Sequence, residues 1–303
     1  MAPVAPVAPM VPIPLTNADP DSLMPARRLR LDAELVRRGL ARSRQHADDL
    51  IAAGRVRVAG ARATKAATGV STDVALVVLE ETGRRPDYAS RGGHKLAGAL
   101  DAFGPLGLRV AGRRCLDAGA STGGFTDVLL RAGAAQVVAA DVGYGQLAWS
   151  LQQDTRVVVL DRTNVRGLTV QMIGEPVDLV VADLSFISLR LVLDPLVSVT
   201  RPDGDLVLLV KPQFEVGREK LGKSGVVRDL DLRASAVFDV VRAAEDRGWG
   251  AQAVTTSPLP GPSGNVEFFL WLRQGDDRVD LADIESEVRR TADLGATGEK
   301  VEQ

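Results

Sequence analysis

The sequence predicts an α/β protein, a doubly wound and mainly parallel sheet preceded by a small basic α+β module. Three observations predict it. Strand-sized apolar runs alternate with helical patterns between about residues 91 and 274, the rhythm of βαβ units. The first of those strands runs into a glycine-rich turn and then a helix, Asp117-Ala118-Gly119-Ala120-Ser121-Thr122-Gly123-Gly124-Phe125. Ahead of them, Arg27 to Lys65 holds eleven Lys or Arg against four acids. That segment carries +7, which leaves −9 for the rest of a chain whose net charge is −2.

A chain of 303 residues has room for two domains, and 45% hydrophobic with 25% charged residues is an ordinary globular composition. No apolar run approaches the roughly 20 residues of a membrane-spanning helix, so no membrane partner is expected. One cysteine, Cys115, excludes an internal disulfide, and two histidines, His46 and His94, are too few for a zinc site. The cytosol is the expected compartment. Residues 1–26 repeat Pro, Ala and Val with no basic start, which predicts a disordered extension instead of a targeting segment.

The basic module is expected over 27–83. Leu31, Leu35, Val36 and Leu40 share one helix face, which Gly39 ends. Ser43 is placed to cap a second helix, Gln45 to Ala53, with Gly54 behind it. Arg55 to Val58 alternates as a strand, Ala59-Gly60 is a turn, and Val74 to Leu79 is a later strand. Basic side chains on such a module favour a polyanion, because neutralised phosphates release counterions. The order RLD..LV..GLA.SR..A..LI..G.V.V.G resembles the S4 RNA-binding domain. That resemblance implies RNA contacts by Arg28, Arg30, Arg42, Arg44, Arg55 and Arg57. Ala59 departs from it, since many members have Asn there. Residues 84–90, RRPDYAS, form a linker without a readable motif.

Strand one of the larger domain, expected over 91–274, begins at Cys115 and opens into the turn GASTGG. Glycines let backbone approach a ligand closely, and the following helix offers free N–H groups. The turn lacks the GxGxxG of a dinucleotide site and resembles the first motif of class I methyltransferases. The second strand, Val137 to Val142, carries Asp141 22 residues beyond Gly119, where a carboxylate can accept hydrogen bonds from ribose hydroxyls. The third, Val157 to Leu160, ends at Asp161, which by analogy sits near an adenine amino group. These spacings favour S-adenosylmethionine as cofactor. Asp117, Gly119, Ser121, Thr122, Gly123, Gly124, Phe125, Asp141 and Asp161 are its candidate residues.

Strand four, Val177 to Phe186, carries Asp183, and strand five, Asp205 to Val210, delivers Lys211. In open α/β sheets both strand ends line the ligand crevice. A last strand, Val266 to Leu272, brings Glu267 to the same rim, and Arg91-Gly92-Gly93-His94-Lys95-Leu96 opens a helix before strand one. In order and placement, Lys95, Asp183, Lys211 and Glu267 match the Lys-Asp-Lys-Glu set of FtsJ-like RNA 2'-O-methyltransferases. Such an enzyme must orient or deprotonate a ribose hydroxyl in line with a sulfonium methyl. Lys211 is the candidate for that task, Asp183 and Lys95 for positioning, and Glu267 for holding the lysines. Amine methylation is disfavoured because Leu184-Ser185-Phe186 follows Asp183 where Pro-Pro-aromatic is usual. Base-carbon methylation needs a cysteine nucleophile in the crevice, whereas Cys115 begins a strand.

RGGHKL, DAGASTGGF, ADLSFISL, VKPQFE and NVEFFLW, joined to the S4-like module, resemble the TlyA family of rRNA (cytidine-2'-O)-methyltransferases from about Arg28 to Arg273. The resemblance implies a Rossmann-like class I methyltransferase fold with a mixed seven-stranded sheet. It further implies cytidine acceptors in 23S and 16S ribosomal RNA or ribosomal subunits, with no obligatory protein partner, and a link to capreomycin-type antibiotics. Members have also been labelled haemolysins, so a membrane-active protein is one rival reading and a non-catalytic RNA-binding assembly factor another. Residues 275–303 are expected to be a charged tail in which Leu281, Ile284 and Val288 mark a surface helix.

Overall fold

A computed structural model of the chain describes residues 28–41, 43–79, 87–217, 219, 221, 225–261, 263–275 and 278–292. The extension expected over 1–26, the candidate Arg42, part of the linker and the end of the tail lie outside the described residues. The chain divides into two compact units, 1–79 and 80–303.

In the first unit, β1 (Arg28–Arg30) pairs antiparallel with β4 (Gly69–Ser71), and β2 (Val56–Val58) lies between β3 (Ala61–Arg62) and β5 (Leu76–Val78). Helices α1 (Leu31–Arg37) and α2 (Arg44–Ala52) supply Leu31, Leu35, Ala47, Leu50 and Ile51 to a small core completed by Val56 and Val70. Ser43 caps α2, its Oγ accepting from His46 N at 3.1 Å. Helix α1 stops at Arg37 because Gly39 turns left-handed at φ 70°. Ala59 and Gly60 close the β2–β3 hairpin at φ 47° and 83°, as a two-residue turn with both φ positive demands. Ala59 therefore holds a conformation that Asn tolerates better.

The second unit is a three-layer sandwich. Its strands are β6 (Arg114–Ala118), β7 (Gln136–Ala140), β8 (Val157–Leu160), β9 (Val177–Ala182), β10 (Thr200–Val210), β11 (Trp249–Thr256) and β12 (Phe268–Gln274). They form one sheet in the order β11-β12-β10-β9-β6-β7-β8, in which only the pairs made by β12 are antiparallel. The helices are α3 (Gly92–Phe103), α4 (Gly124–Arg131), α5 (Trp149–Gln152), α6 (Val170–Ile173), α7 (Leu193–Ser198), α8 (Pro212–Glu215), α9 (Leu230–Glu245) and α10 (Leu281–Arg289).

Alternation along the strands divides the core in two. Leu116, Val138, Val180, Leu208 and Leu270 face α7, α9 and α10, while Cys115, Val137, Leu179, Val207 and Trp271 face α3 and α4. Burial on both faces is why these strands read as continuous apolar runs. The chain reverses direction across the sheet between β6 and β9, where an open α/β sheet forms its crevice.

Three strand boundaries at the site differ from the sequence expectation, the first being strand four, which stops at Ala182 instead of Phe186 and leaves Asp183 beyond it. The second strand ends at Ala140, so Asp141 lies beyond it, and the last strand starts at Phe268, so Glu267 precedes it. Within the expected tail, α10 lies in the second unit with Ile284 and Val288 fully buried against the α9 side of the core. The carboxylate of Glu287 accepts from Thr256 N at 2.6 Å and Thr256 Oγ1 at 2.7 Å, which fixes α10 to β11. An apolar pair spaced by four residues found a groove there instead of a place in solvent.

Candidate active site

Strand register assembles the site. The antiparallel β10–β12 pairing ends at Val210 opposite Phe268, which brings the next residue of one strand, Lys211, and the preceding residue of the other, Glu267, to one rim. The parallel β9–β10 register pairs Ala182 with Leu208, so Asp183 emerges at the same end. Asp183 N donates to Ala118 O at 3.1 Å, and a Cβ built on Gly119 would lie 2.6 Å from Asp183 O. Only glycine permits that approach at φ 86°, and it presses the turn after β6 against the loop after β9. Gly93 of α3 meets Gly124 of α4 in the same manner, a Cβ on Gly93 lying 3.0 Å from Gly124 O. Lys95 follows two residues further along α3.

The four charged candidates form two ion pairs. Lys95 Nζ lies 2.6 Å from Glu267 Oε2, with side chains only 6% and 0% exposed. Lys211 Nζ lies 2.5 Å from Asp183 Oδ1 and donates to Ser185 Oγ at 3.0 Å. Asp183 is the most open of the four, its side chain 23% exposed. Gly261 backs the first pair, since a Cβ there would come 2.4 Å from Glu267 Oε1. Gln213 Nε2 stands 3.5 Å from the same oxygen, too long for a strong bond.

The remaining candidates line the neighbouring strand ends. Asp141 accepts from Ser121 N at 2.8 Å and from Gly143 N at 2.7 Å, which fixes the turn at Ser121, whose φ is 48°. Each carboxylate oxygen retains a lone pair for a further donor. Asp161 accepts from Gly145 N at 3.0 Å. Thr122 O receives Ala148 N at 3.2 Å, Gly123 caps the start of α4 at φ 93°, and Phe125 is buried 6.0 Å from the ring of Phe269.

Asp117 lies fully buried beneath this turn. Its Oδ2 accepts from Thr126 Oγ1 at 2.7 Å, whereas its Oδ1 has no partner among the described residues. Burial pushes its carboxyl up to about 7, the Thr126 hydrogen bond opposing and Asp183 reinforcing the shift. A raised carboxyl binds a proton in the folded chain that the unfolded chain releases. Stability is therefore expected to fall as pH rises from about 4 to about 7, by about 4 kcal/mol in all. Asp117→Asn removes that dependence. Urea unfolding should show the variant gaining on the parent at pH 8 and not at pH 4, and parallel curves would reject the account.

Burial also pushes the Cys115 thiol up to about 12, leaving no thiolate for nucleophilic work. In the first unit, Asp32 accepts from Arg30 NH2 and from Arg44 NH2, both at 3.0 Å. Arg30, aided by Arg44, holds that carboxyl at about 2. Both arginine side chains remain more than half exposed. Arg55 Nε donates to Leu79 O at 2.9 Å, while Arg28 and Arg57 sit on β1 and β2. Arg38 is spent on the fold, bonded to Glu34 and to the carbonyls of Val74 and Thr72.

Sequence reasoning assigned no role to Ser185, Thr126, Gln213 or Phe186. Phe186 is 90% exposed at φ 63°, its ring 5.3 Å from that of Phe214. Serine and phenylalanine in ADLSF carry no sequence signal for such a backbone. An exposed aromatic held in a left-handed conformation is the kind of local strain found at functional sites.

Family models agree with this architecture. The FtsJ-like methyltransferase model matches residues 88–274, and the S4 domain model matches residues 29–74. The 16S/23S rRNA (cytidine-2'-O)-methyltransferase TlyA of Mycobacterium tuberculosis is 61% identical over 271 residues, 89% of this chain and 99% of the relative. The chain belongs to the TlyA family of FtsJ-like methyltransferases. Another relative, Hemolysin A of Brachyspira hyodysenteriae, is 36% identical over 241 residues, 79% of this TlyA-family chain and 98% of the relative. A solved structure from Streptococcus thermophilus, also described as a hemolysin, aligns with a TM-score of 0.67 at 34% identity, covering 91% of this chain and 100% of the other. Among the described residues of this TlyA-family chain, no helix is long and apolar enough to cross a membrane.

Proposed function

We propose that this chain transfers the methyl group of S-adenosylmethionine to the 2'-hydroxyl of cytidines in 23S and 16S ribosomal RNA. The observation that carries the reading is the paired arrangement of Lys95 with Glu267 and Lys211 with Asp183 on the rim beside the glycine turn. The 61% identity to a 16S/23S rRNA methyltransferase supplies the acceptor class.

The residues of the turn fit the cofactor. Asp141 and Asp161 are carboxylates suited to a ligand bearing hydroxyls and positive charge, and Asp117, with an unpartnered oxygen and a carboxyl pushed up by burial, is a group that a cation bound at the turn would favour in its ionised form. Gly119 and Ser121–Phe125 would hold the ligand against the start of α4, with Asp141 on the ribose and Asp161 on the adenine side. Bound there, S-adenosylmethionine supplies an electrophilic methyl group on a sulfonium.

Lys211 works on the acceptor oxygen. Two of its three hydrogens are committed to Asp183 and Ser185, which leaves one direction for the ribose hydroxyl. Loss of that third hydrogen to solvent leaves a neutral amine whose lone pair faces the hydroxyl and takes its proton as the oxygen attacks the methyl carbon, while the other two hydrogens stay on Asp183 and Ser185. Lys95 and Glu267, nearly dry, fix the wall of the site through their mutual pair. The exposed, basic S4 unit supplies sequence-independent phosphate contacts, with the outer faces of Arg30 and Arg44 available for them.

The test is transfer of labelled methyl groups to purified ribosomal RNA and to isolated subunits, followed by mapping of riboses that resist alkaline cleavage. Protected cytidine riboses are the expected result. Label found only on bases, or none on either acceptor, would reject the reading.

A further inference from the structure

Two loops carry the Lys211 side of the site. One runs from Asp183 to the turn Leu189–Leu191, and the other runs from Lys211 through α8. They are joined at three points. Lys211 binds Asp183 and Ser185 at one end, and the rings of Phe186 and Phe214 meet in the middle. At the other end the Glu215 carboxylate accepts from Leu189 N at 2.7 Å through Oε1 and from Ser188 Oγ at 2.5 Å through Oε2. Arg190 NH2 completes this end by donating to Glu215 O at 3.1 Å.

Glu215 is only 4% exposed, and burial pushes its carboxyl up despite these hydrogen bonds. A buried acid costs stability where an apolar residue would pack, so packing does not explain it. What it holds does. Between the two clasps, Phe186 keeps φ 63° while almost wholly exposed. A left-handed backbone at such a residue is strained and persists only when its surroundings over-determine it.

We infer that Glu215 is a positioning residue for the proposed methyl transfer: by anchoring Ser188 and Leu189 it holds Phe186 in its left-handed conformation beside the Asp183–Lys211 pair. The inference rests on the methyltransferase reading above. The cofactor candidates sit on other loops, so Glu215 acts on turnover and not on cofactor affinity.

The experiment compares Glu215→Ala, Glu215→Gln and Phe186→Ala, alone and combined, for kcat on ribosomal RNA and for S-adenosylmethionine affinity by calorimetry. Glu215→Ala is expected to lower kcat about tenfold to hundredfold, as a small misplacement near a reacting centre does, with cofactor affinity unchanged. Glu215→Gln can still accept from Leu189 N and donate to Ser188 Oγ, so it should recover most of the loss. If Glu215 acts through Phe186, the Glu215→Ala/Phe186→Ala double variant is no slower than Phe186→Ala alone. If Glu215→Ala folds poorly, Ser188→Ala removes one carboxylate contact and is expected to lower kcat severalfold. Parent-like kcat in Glu215→Ala, multiplicative losses in the double variant, or failure of Gln to rescue would each overturn the inference. Hydrogen exchange at Leu189 N separates it from the function itself. Faster exchange in Glu215→Ala from a parent that methylates nothing would retain the anchor and reject the methyltransferase reading.

Discussion

Lys211→Ala is expected to lower methyl transfer by about 10²–10⁴-fold, the range for losing a positioned acid–base group. Cofactor affinity should hold, because the turn from Gly119 to Phe125 and the carboxylates of Asp141 and Asp161 do not touch the lysine. The fold should hold as well. The orphaned partner, Asp183, is 23% exposed at its side chain and can be solvated once the ammonium is gone. Lys211→Arg is expected to be nearly as slow, since a guanidinium keeps its charge and cannot accept the hydroxyl proton. Single-turnover transfer with labelled cofactor measures both variants. Parent-like rates in Lys211→Ala would remove this residue from the reaction.

Glu267→Ala is expected to strike stability first. It leaves the Lys95 ammonium, 6% exposed, without its carboxylate, and breaking a buried pair from one side costs about 3–5 kcal/mol. The double change Lys95→Met/Glu267→Leu removes both charges and should recover most of that loss while remaining unable to methylate. Urea midpoints and transfer assays on the same preparations check the two halves together. Recovery of transfer in the double variant would show the pair to be structural alone, and a stable Glu267→Ala would show that water reaches Lys95.

The chemistry of this site was legible in the sequence because Asp183, Lys211 and Glu267 stand at or beside the ends of apolar strand runs, while Lys95 lies in the helix that opens before strand one. A doubly wound sheet sends those positions to one rim, so the placement of Asp183, Lys211 and Glu267 required only that the strands be recognised. Gly119 was legible for a related reason, a turn in which bulkier residues do not fit. Pairing was not legible. The sequence offered four charges without saying that Lys95 would take Glu267 and Lys211 would take Asp183, because partners 172 and 28 residues apart are chosen by packing between layers.

Nor did local pattern reveal Phe186 or α10. A backbone angle of 63° at phenylalanine opposes local preference, and only the clasp between neighbouring loops sustains it. Helix α10 has the short apolar spacing of a surface helix, and a groove beside α9 and β11 buried it.

The sequence by itself determined the order of six of the seven strands of the larger sheet, the small basic unit, the glycine turn and the identity of the charged groups, because these follow from periodicity and residue chemistry along the chain. The tertiary structure alone decided which charges pair, how dry each pair is, and which strained residue stands in solvent. Burial and direction are properties of distant segments brought together, and no stretch of chain specifies them before the sheet has closed its layers.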